Sequence, residues 1–180
     1  MLSWIACALL ASAPVSGPLP AGVARADYSP SGPVIVVKVE NRGTFEITTD
    51  PKNSPKTVAR ITELVRSGFY DRQRFHRVES WVIQWGAPAS KTMPIDADEV
   101  LSGGSGKQMP FEMCEVDFMR GVVGIASTGL QVGGDSQIFI LKADYERLWH
   151  SYAVLGKVTK GMEVVDRITK GDRITSMKVK

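Results

Sequence analysis

The chain has little cysteine, little histidine, little net charge and no long apolar run, and each shortage excludes something. Its 180 residues contain two cysteines, Cys7 and Cys114, and two histidines, His76 and His150, far apart in sequence. There is no HExxH or CxxC spacing, so nothing points to a metal centre or a cofactor, and none is expected. The net charge is +3, from 22 basic and 19 acidic residues, with no Lys/Arg cluster. That is too little to suggest nucleic acid as a partner. The first 26 residues lack any acid and carry one base, Arg25. Within them Met1–Ala13 is mostly apolar yet too short to span a bilayer comfortably, and no stable membrane insertion is expected once it is cleaved off. Ala24-Arg25-Ala26 offers the small-x-small pattern of a signal cleavage site, although the basic residues that usually open a signal peptide are missing. Residues 1–26 therefore read as a signal peptide of an exported, periplasmic or secreted protein. A disordered or membrane-tethering N-terminus is the alternative. Cleavage after Ala26 would leave Cys114 alone, without a disulfide partner and best read as a packed thiol.

The remainder has the composition of a globular domain, 43% hydrophobic and 23% charged. About 150 residues suffice for a self-supporting core. Residues 27–33 read as a polar linker and 34–180 as one domain, with nothing to suggest more than a monomer. Val34–Glu40 and Thr44–Thr49 form a hairpin around Asn41-Arg42-Gly43. Ser54-Pro55 opens a helix, with Ser54 at the N-cap, and Val58, Ile61, Leu64 and Val65 make its apolar stripe. Ala87–Pro110 is a long polar loop. Its SGGSGK run lacks the spacing and the Ser/Thr of a phosphate loop. Gly121–Ala126, Ser136–Leu141, Tyr152–Val158 and Arg173–Val179 read as strands, with a short helix over 162–169. Many short strands, Gly/Pro turns and two helices imply a mostly β fold, a closed β-barrel with helices at its ends.

Residues 74–86, RFHRVESWVIQWG, raise a question of chemistry. Arg77 and Gln84 interrupt an apolar pair of strands broken near Glu79-Ser80. Buried, they need polar partners; otherwise they face solvent or line a pocket. Taken singly, Arg77 is more often a solvated strand arginine, and Phe139 and Leu148 are more often core. In Ser136–Leu141 the alternation places Gln137 and Phe139 on one face and Ile138 and Ile140 on the other.

Three segments taken together, FHRV–WVIQWG, GIASTG–GGDSQIFIL and YAVLGKVTKGMEVVDRI, resemble the cyclophilin family of peptidyl-prolyl cis–trans isomerases. The resemblance implies an eight-stranded antiparallel barrel capped by two helices. It implies proline-containing peptides and unfolded or partly folded proteins as partners. It places a catalytic arginine at Arg77 and a groove glutamine at Gln84. It places substrate-binding positions at Trp81, Val82, Ala126, Ser127, Gln137, Phe139, Leu148 and Tyr152. The chain departs from the family pattern along the Ala87–Pro110 loop, which does not align well, and at three further points. One residue is missing between Arg77 and Trp81. Trp85 stands where a glycine is usual, where its bulk would narrow the groove or, as the preferred reading, simply pack. Arg147 replaces a tryptophan that contacts cyclosporin in some members, so weak cyclosporin binding is expected. Two other functions remain: a catalytically weak proline-peptide-binding module on the same barrel, and an unrelated barrel serving as a scaffold. In the latter, Arg77 and Phe139 would lie more than ~12 Å apart, too far to flank one prolyl residue.

Overall fold

The computed structural model describes residues 28–180. The signal-peptide reading of residues 1–26 lies outside them. Eight strands are present: β1 (Val34–Val39), β2 (Gly43–Thr49), β3 (Arg77–Val78), β4 (Val82–Trp85), β5 (Val122–Ile125), β6 (Ile138–Leu141), β7 (Val154–Lys160) and β8 (Ile174–Val179). They form one sheet in the order β3-β4-β6-β5-β7-β2-β1-β8, and every adjacent pair is antiparallel.

The first hairpin shows why the sequence folds this way. In β1 the β-branched residues Ile35, Val37 and Val39 alternate inward, opposite Phe45 and Ile47 of β2. The turn between them needs left-handed backbone, which Asn41 and Gly43 supply. Register shifts in β1/β8, β2/β7 and β5/β7 mark irregularities of the bulge kind, which bend a sheet and increase its twist.

The expected closed barrel is not a closed ladder. Edge strands β3 and β8 do not pair; a single bridge, Arg74 to Arg173, spans them. Backbone bonds stitch the approaches to this seam: Arg72 N–H to Ile174 O, Ile174 N–H to Gln73 O, Phe75 N–H to Asp172 O and Gly171 N–H to Phe75 O, all at 2.8–3.0 Å. Arg72 and Gly171 both take positive φ there, and that turns the chain out of a continuous ladder.

The described residues also hold three α-helices rather than the expected two: α1 (Pro55–Arg66), α2 (Asp98–Ser102) and α3 (Met162–Arg167). The additional α2 lies inside the stretch read as loop. It is a single short helix with acids Asp98 and Glu99 in its first turn and one buried anchor, Val100. So short a helix carries no periodicity for a sequence reading to detect. Val58, Ile61, Leu64 and Val65 of α1 and Val164 and Val165 of α3 join the main core with the inward residues of the sheet.

Ser54 stands at the N-cap of α1 with Pro55 behind it, but its hydroxyl makes no capping bond. The carboxylate of Glu112 does that work, accepting from Lys56 N–H at 3.0 Å and Thr57 N–H at 2.8 Å. A negative group over the open amides of a helix N-terminus is favourable both as acceptor and as charge.

Candidate active site

Strand register builds the site. In the antiparallel ladder Arg77 of β3 sits opposite Gln84 of β4, Gln84 opposite Phe139 of β6, and Phe139 opposite Gly124 of β5. Directly opposed residues project to the same face of a sheet. An arginine, a glutamine and a phenylalanine thus stand in one row, and the row ends on a glycine. A Cβ at Gly124 would lie 2.4 Å from Phe139 Cζ, so the ring's position requires that glycine. Gly124 was not singled out from the sequence, although a glycine within a strand signals close approach by another group.

The same parity sends Ile83, Trp85, Ile138 and Ile140 into the main core. Trp85 is fully buried, edge-on to Phe45 and Phe75 with centroids at 6.5 and 5.2 Å. It packs and does not narrow the groove.

On the same face as the row, away from the main core, a second apolar cluster contains Val82, Phe118, Val122, Phe139, Leu141 and Val154. Phe118 stacks on Phe139 at 6.2 Å, and Tyr152 meets Phe139 edge-on at 5.5 Å. Phe118 is another contributor that the sequence reading missed; it belongs to neither a strand nor a helix. Leu148 ends a short 3₁₀ turn, Glu146–Leu148. Cys114 lies in the same cluster, with burial pushing its thiol pKa up, as befits a packed residue.

Between these groups lies a pocket of about 160 Å³, lined by Arg77 and Gln84 on β3 and β4, Trp81 and Val82, Ala126 and Ser127, and Phe139, Leu148 and Tyr152. Nine of the ten expected site residues converge there. Arg77 and Phe139 share its walls, which overturns the scaffold reading that set them apart.

The tenth, Gln137, lines an adjoining cavity of about 510 Å³ that shares Gln84, Ala126 and Ser127 with the first. Its side-chain Oε1 accepts from Gln84 Nε2 at 2.6 Å, and its Nε2 donates to the carbonyls of Gly103 at 2.7 Å and Leu101 at 3.2 Å. The two glutamines are therefore a relay between the small pocket and the end of α2. The polar loop, unassigned from sequence, forms a wall of the larger cavity. Asp135 ties it down by accepting from Ser105 Oγ, Gly106 N–H and Lys107 N–H.

Two local hydrogen bonds refine the expected roles. The Ala126 N–H already donates to the Gln137 carbonyl at 2.9 Å, so only its carbonyl remains for a bound chain. The Ser127 hydroxyl donates to Gly129 O at 2.6 Å and fixes its own turn. Arg77 Nε donates to Glu79 at 2.7 Å, and this contact holds the Glu79 pKa below its ordinary value.

A family model described as cyclophilin type peptidyl-prolyl cis-trans isomerase/CLD matches residues 34–180. The chain belongs to the cyclophilin family. Among relatives of this cyclophilin, a probable peptidyl-prolyl cis-trans isomerase of Brucella abortus (strain 2308) is 36% identical over 183 residues, covering 99% of this chain and 92% of that protein. Peptidyl-prolyl cis-trans isomerase A of Dickeya dadantii is 32% identical over 146 residues, covering 75% and 70%. Among solved structures, a Cryptosporidium parvum cyclophilin type peptidyl-prolyl cis-trans isomerase shares the fold with TM-score 0.70 at 22% identity, over 82% of this chain and 97% of its own. Its crystal structure in the presence of the dipeptide ala-pro gives TM-score 0.68.

Proposed function

We propose that this cyclophilin is a peptidyl-prolyl cis–trans isomerase that seats a proline ring in the small pocket and accelerates rotation about the preceding bond with Arg77. The observation that carries the reading is the convergence of a guanidinium with Phe139, Leu148 and Tyr152 on one pocket of about 160 Å³.

Rotation about an Xaa-Pro bond crosses a barrier of ~18–20 kcal/mol set by amide resonance and takes tens of seconds or more unaided. Reaching milliseconds means lowering that barrier by roughly 5–7 kcal/mol. No nucleophile or proton transfer is required. As the bond twists, its nitrogen loses conjugation and gains a lone pair. A guanidinium beside it then finds an acceptor that the planar ground state does not offer, so the interaction stabilises the transition state selectively. Arginine suits the role because its fork of donors stays charged across the working pH range. Phe139 and Leu148 grip the ring while Gln84 and the Ala126 carbonyl hold the neighbouring peptide groups. One half of the chain is then anchored while the other half turns. An extended client would run from the small pocket into the larger cavity past Gln84 and Gln137.

The deciding experiment follows cis–trans exchange of a short Xaa-Pro peptide with wild type and Arg77→Ala. We expect kcat/KM to fall roughly 10²–10³-fold, the scale for removing one donor aimed at the reacting group. Equal rates in the two proteins would exclude the role given to Arg77. Tight peptide binding with no exchange above background would favour the binding-module alternative. The apolar segment before Ala26 supports a place for this activity outside the cytosol, where exported chains fold. The Arg147 substitution supports weak cyclosporin binding.

A further inference from the structure

Glu79 sits in the turn between β3 and β4, and both of its carboxylate oxygens are held by residues of the pocket. Oε1 accepts from Arg77 Nε at 2.7 Å and Oε2 accepts from Trp81 Nε1 at 2.8 Å. The Glu79 N–H donates to Val82 O at 2.8 Å, closing a tight turn over Ser80 and Trp81. The two side chains it grips also touch each other: Arg77 Cζ lies 5.2 Å from the centre of the Trp81 ring. Trp81 in turn stacks on Tyr145, with centroids 4.3 Å apart and planes at 17°. Carboxylate, guanidinium, indole and phenol make one layered wall. Glu79 lies two residues from each of them in a tight turn, so a single carboxylate reaches both groups.

Stability does not explain the arrangement. The Arg77 and Glu79 side chains are 42% and 43% exposed, and water and salt screen such pairs. Orientation does explain it. A carboxylate on Nε fixes the rotation of the guanidinium plane about its own side chain, and the indole face beneath restricts its tilt. Both Nη groups are left without a hydrogen-bond partner among the described residues. Donors already aimed at the place where a lone pair develops need no reorganisation when the amide twists.

We propose that Glu79 is the positioning residue of the prolyl pocket, clamping Arg77 by its Nε and Trp81 by its indole N–H so that the Nη edge faces the twisting nitrogen. This rests on the isomerase reading and adds to it a residue that never touches substrate. Because Arg77 acts only on the twisted amide, loosening it should lower kcat and leave KM nearly alone.

The test measures kcat and KM on one Xaa-Pro peptide for wild type, Glu79→Ala, Glu79→Gln, Arg77→Ala and the Arg77→Ala/Glu79→Ala double variant. We expect Glu79→Ala to lower kcat about 10-fold, a part of the roughly 100-fold that a 1 Å misplacement can cost, with KM changed less than about 2-fold. Glu79→Gln, whose amide oxygen still accepts one N–H, falls between. In the Arg77→Ala background, Glu79→Ala lowers kcat no further, because the guanidinium that the clamp aims is gone. The Arg77 Nε–H signal in ¹⁵N spectra is slow to exchange with water in wild type and exchanges rapidly in Glu79→Ala. Wild-type kcat in Glu79→Ala, beside an Arg77→Ala enzyme that has lost activity, would overturn the clamp alone. So would the same fold-loss in both backgrounds. A wild type with no exchange above background would remove the isomerase reading and the clamp with it.

Discussion

His76 precedes Arg77 and is 3% exposed, with Nδ1 lacking a partner. Burial pushes its pKa down to about 4, with a smaller push from the Arg77 charge and an opposing pull from the Gln137 side chain. In the unfolded chain the same imidazole takes a proton near 6.5. Below that pH the unfolded state binds a proton that the native state refuses. Stability from this residue is therefore whole above about 6.5, is lost progressively as pH falls toward about 4, and changes no further below that. The total is on the order of 3 kcal/mol. Urea unfolding of wild type and His76→Gln at pH 7 and pH 4.5 should show the variant losing less stability between the two. Parallel losses would mean that His76 does not carry the acid sensitivity. None of this was legible in the sequence, because FHR says nothing about whether the middle residue is wet. Trp85 was half legible. The bulk at that position is plain to see, but only strand parity, with Gln84 outward, tells which way the indole points.

At the scale of elements, the helix α1 separates pattern from partner. Its apolar stripe and Pro55 were readable, and so was Ser54 as the residue before the first turn. What a linear reading cannot supply is a cap arriving from Glu112, whose carboxylate takes the two amides. We expect Glu112→Ala to cost about 1–2 kcal/mol, the range for a lost cap with its favourable charge. Ser54→Ala should stay within about 0.5 kcal/mol, because the buried hydroxyl has no partner to lose. Chemical denaturation of both variants checks this, and the reverse ranking would restore Ser54 as the cap. Strand β6 was the most legible element, since period-two alternation set Ile138 and Ile140 apart from Phe139, and the family resemblance told which face was the pocket. Residues 98–102 were the least legible, because their helical turn and their hold on Gln137 depend on contacts outside the segment.

At the scale of the whole molecule, the site is made from pieces of chain between residues 77 and 152. Only the family register brought those pieces together beforehand. Local patterns alone gave the strands and left the pocket open. The mostly β, antiparallel architecture was legible in outline, while its open seam at Arg74 and Arg173 was not, since it turns on the two backbone reversals at Arg72 and Gly171. The proposed export belongs to this scale too. Mass spectrometry of the protein recovered from its native host should find a mature N-terminus at Asp27, following cleavage after Ala26. A chain still carrying Met1–Ala26 would refute cleavage.

The shortness of β3 has a consequence of its own. An unpaired strand edge is a template on which other extended chains add themselves, the first step toward tangled aggregates. An isomerase working on unfolded chains, as the proposed function has it, would meet such chains constantly. Here the exposed border is two residues long and flanked by the charges of Arg77 and Glu79. On this side of the sheet, a border so brief and so charged gives a sticky polypeptide almost nothing to zip onto.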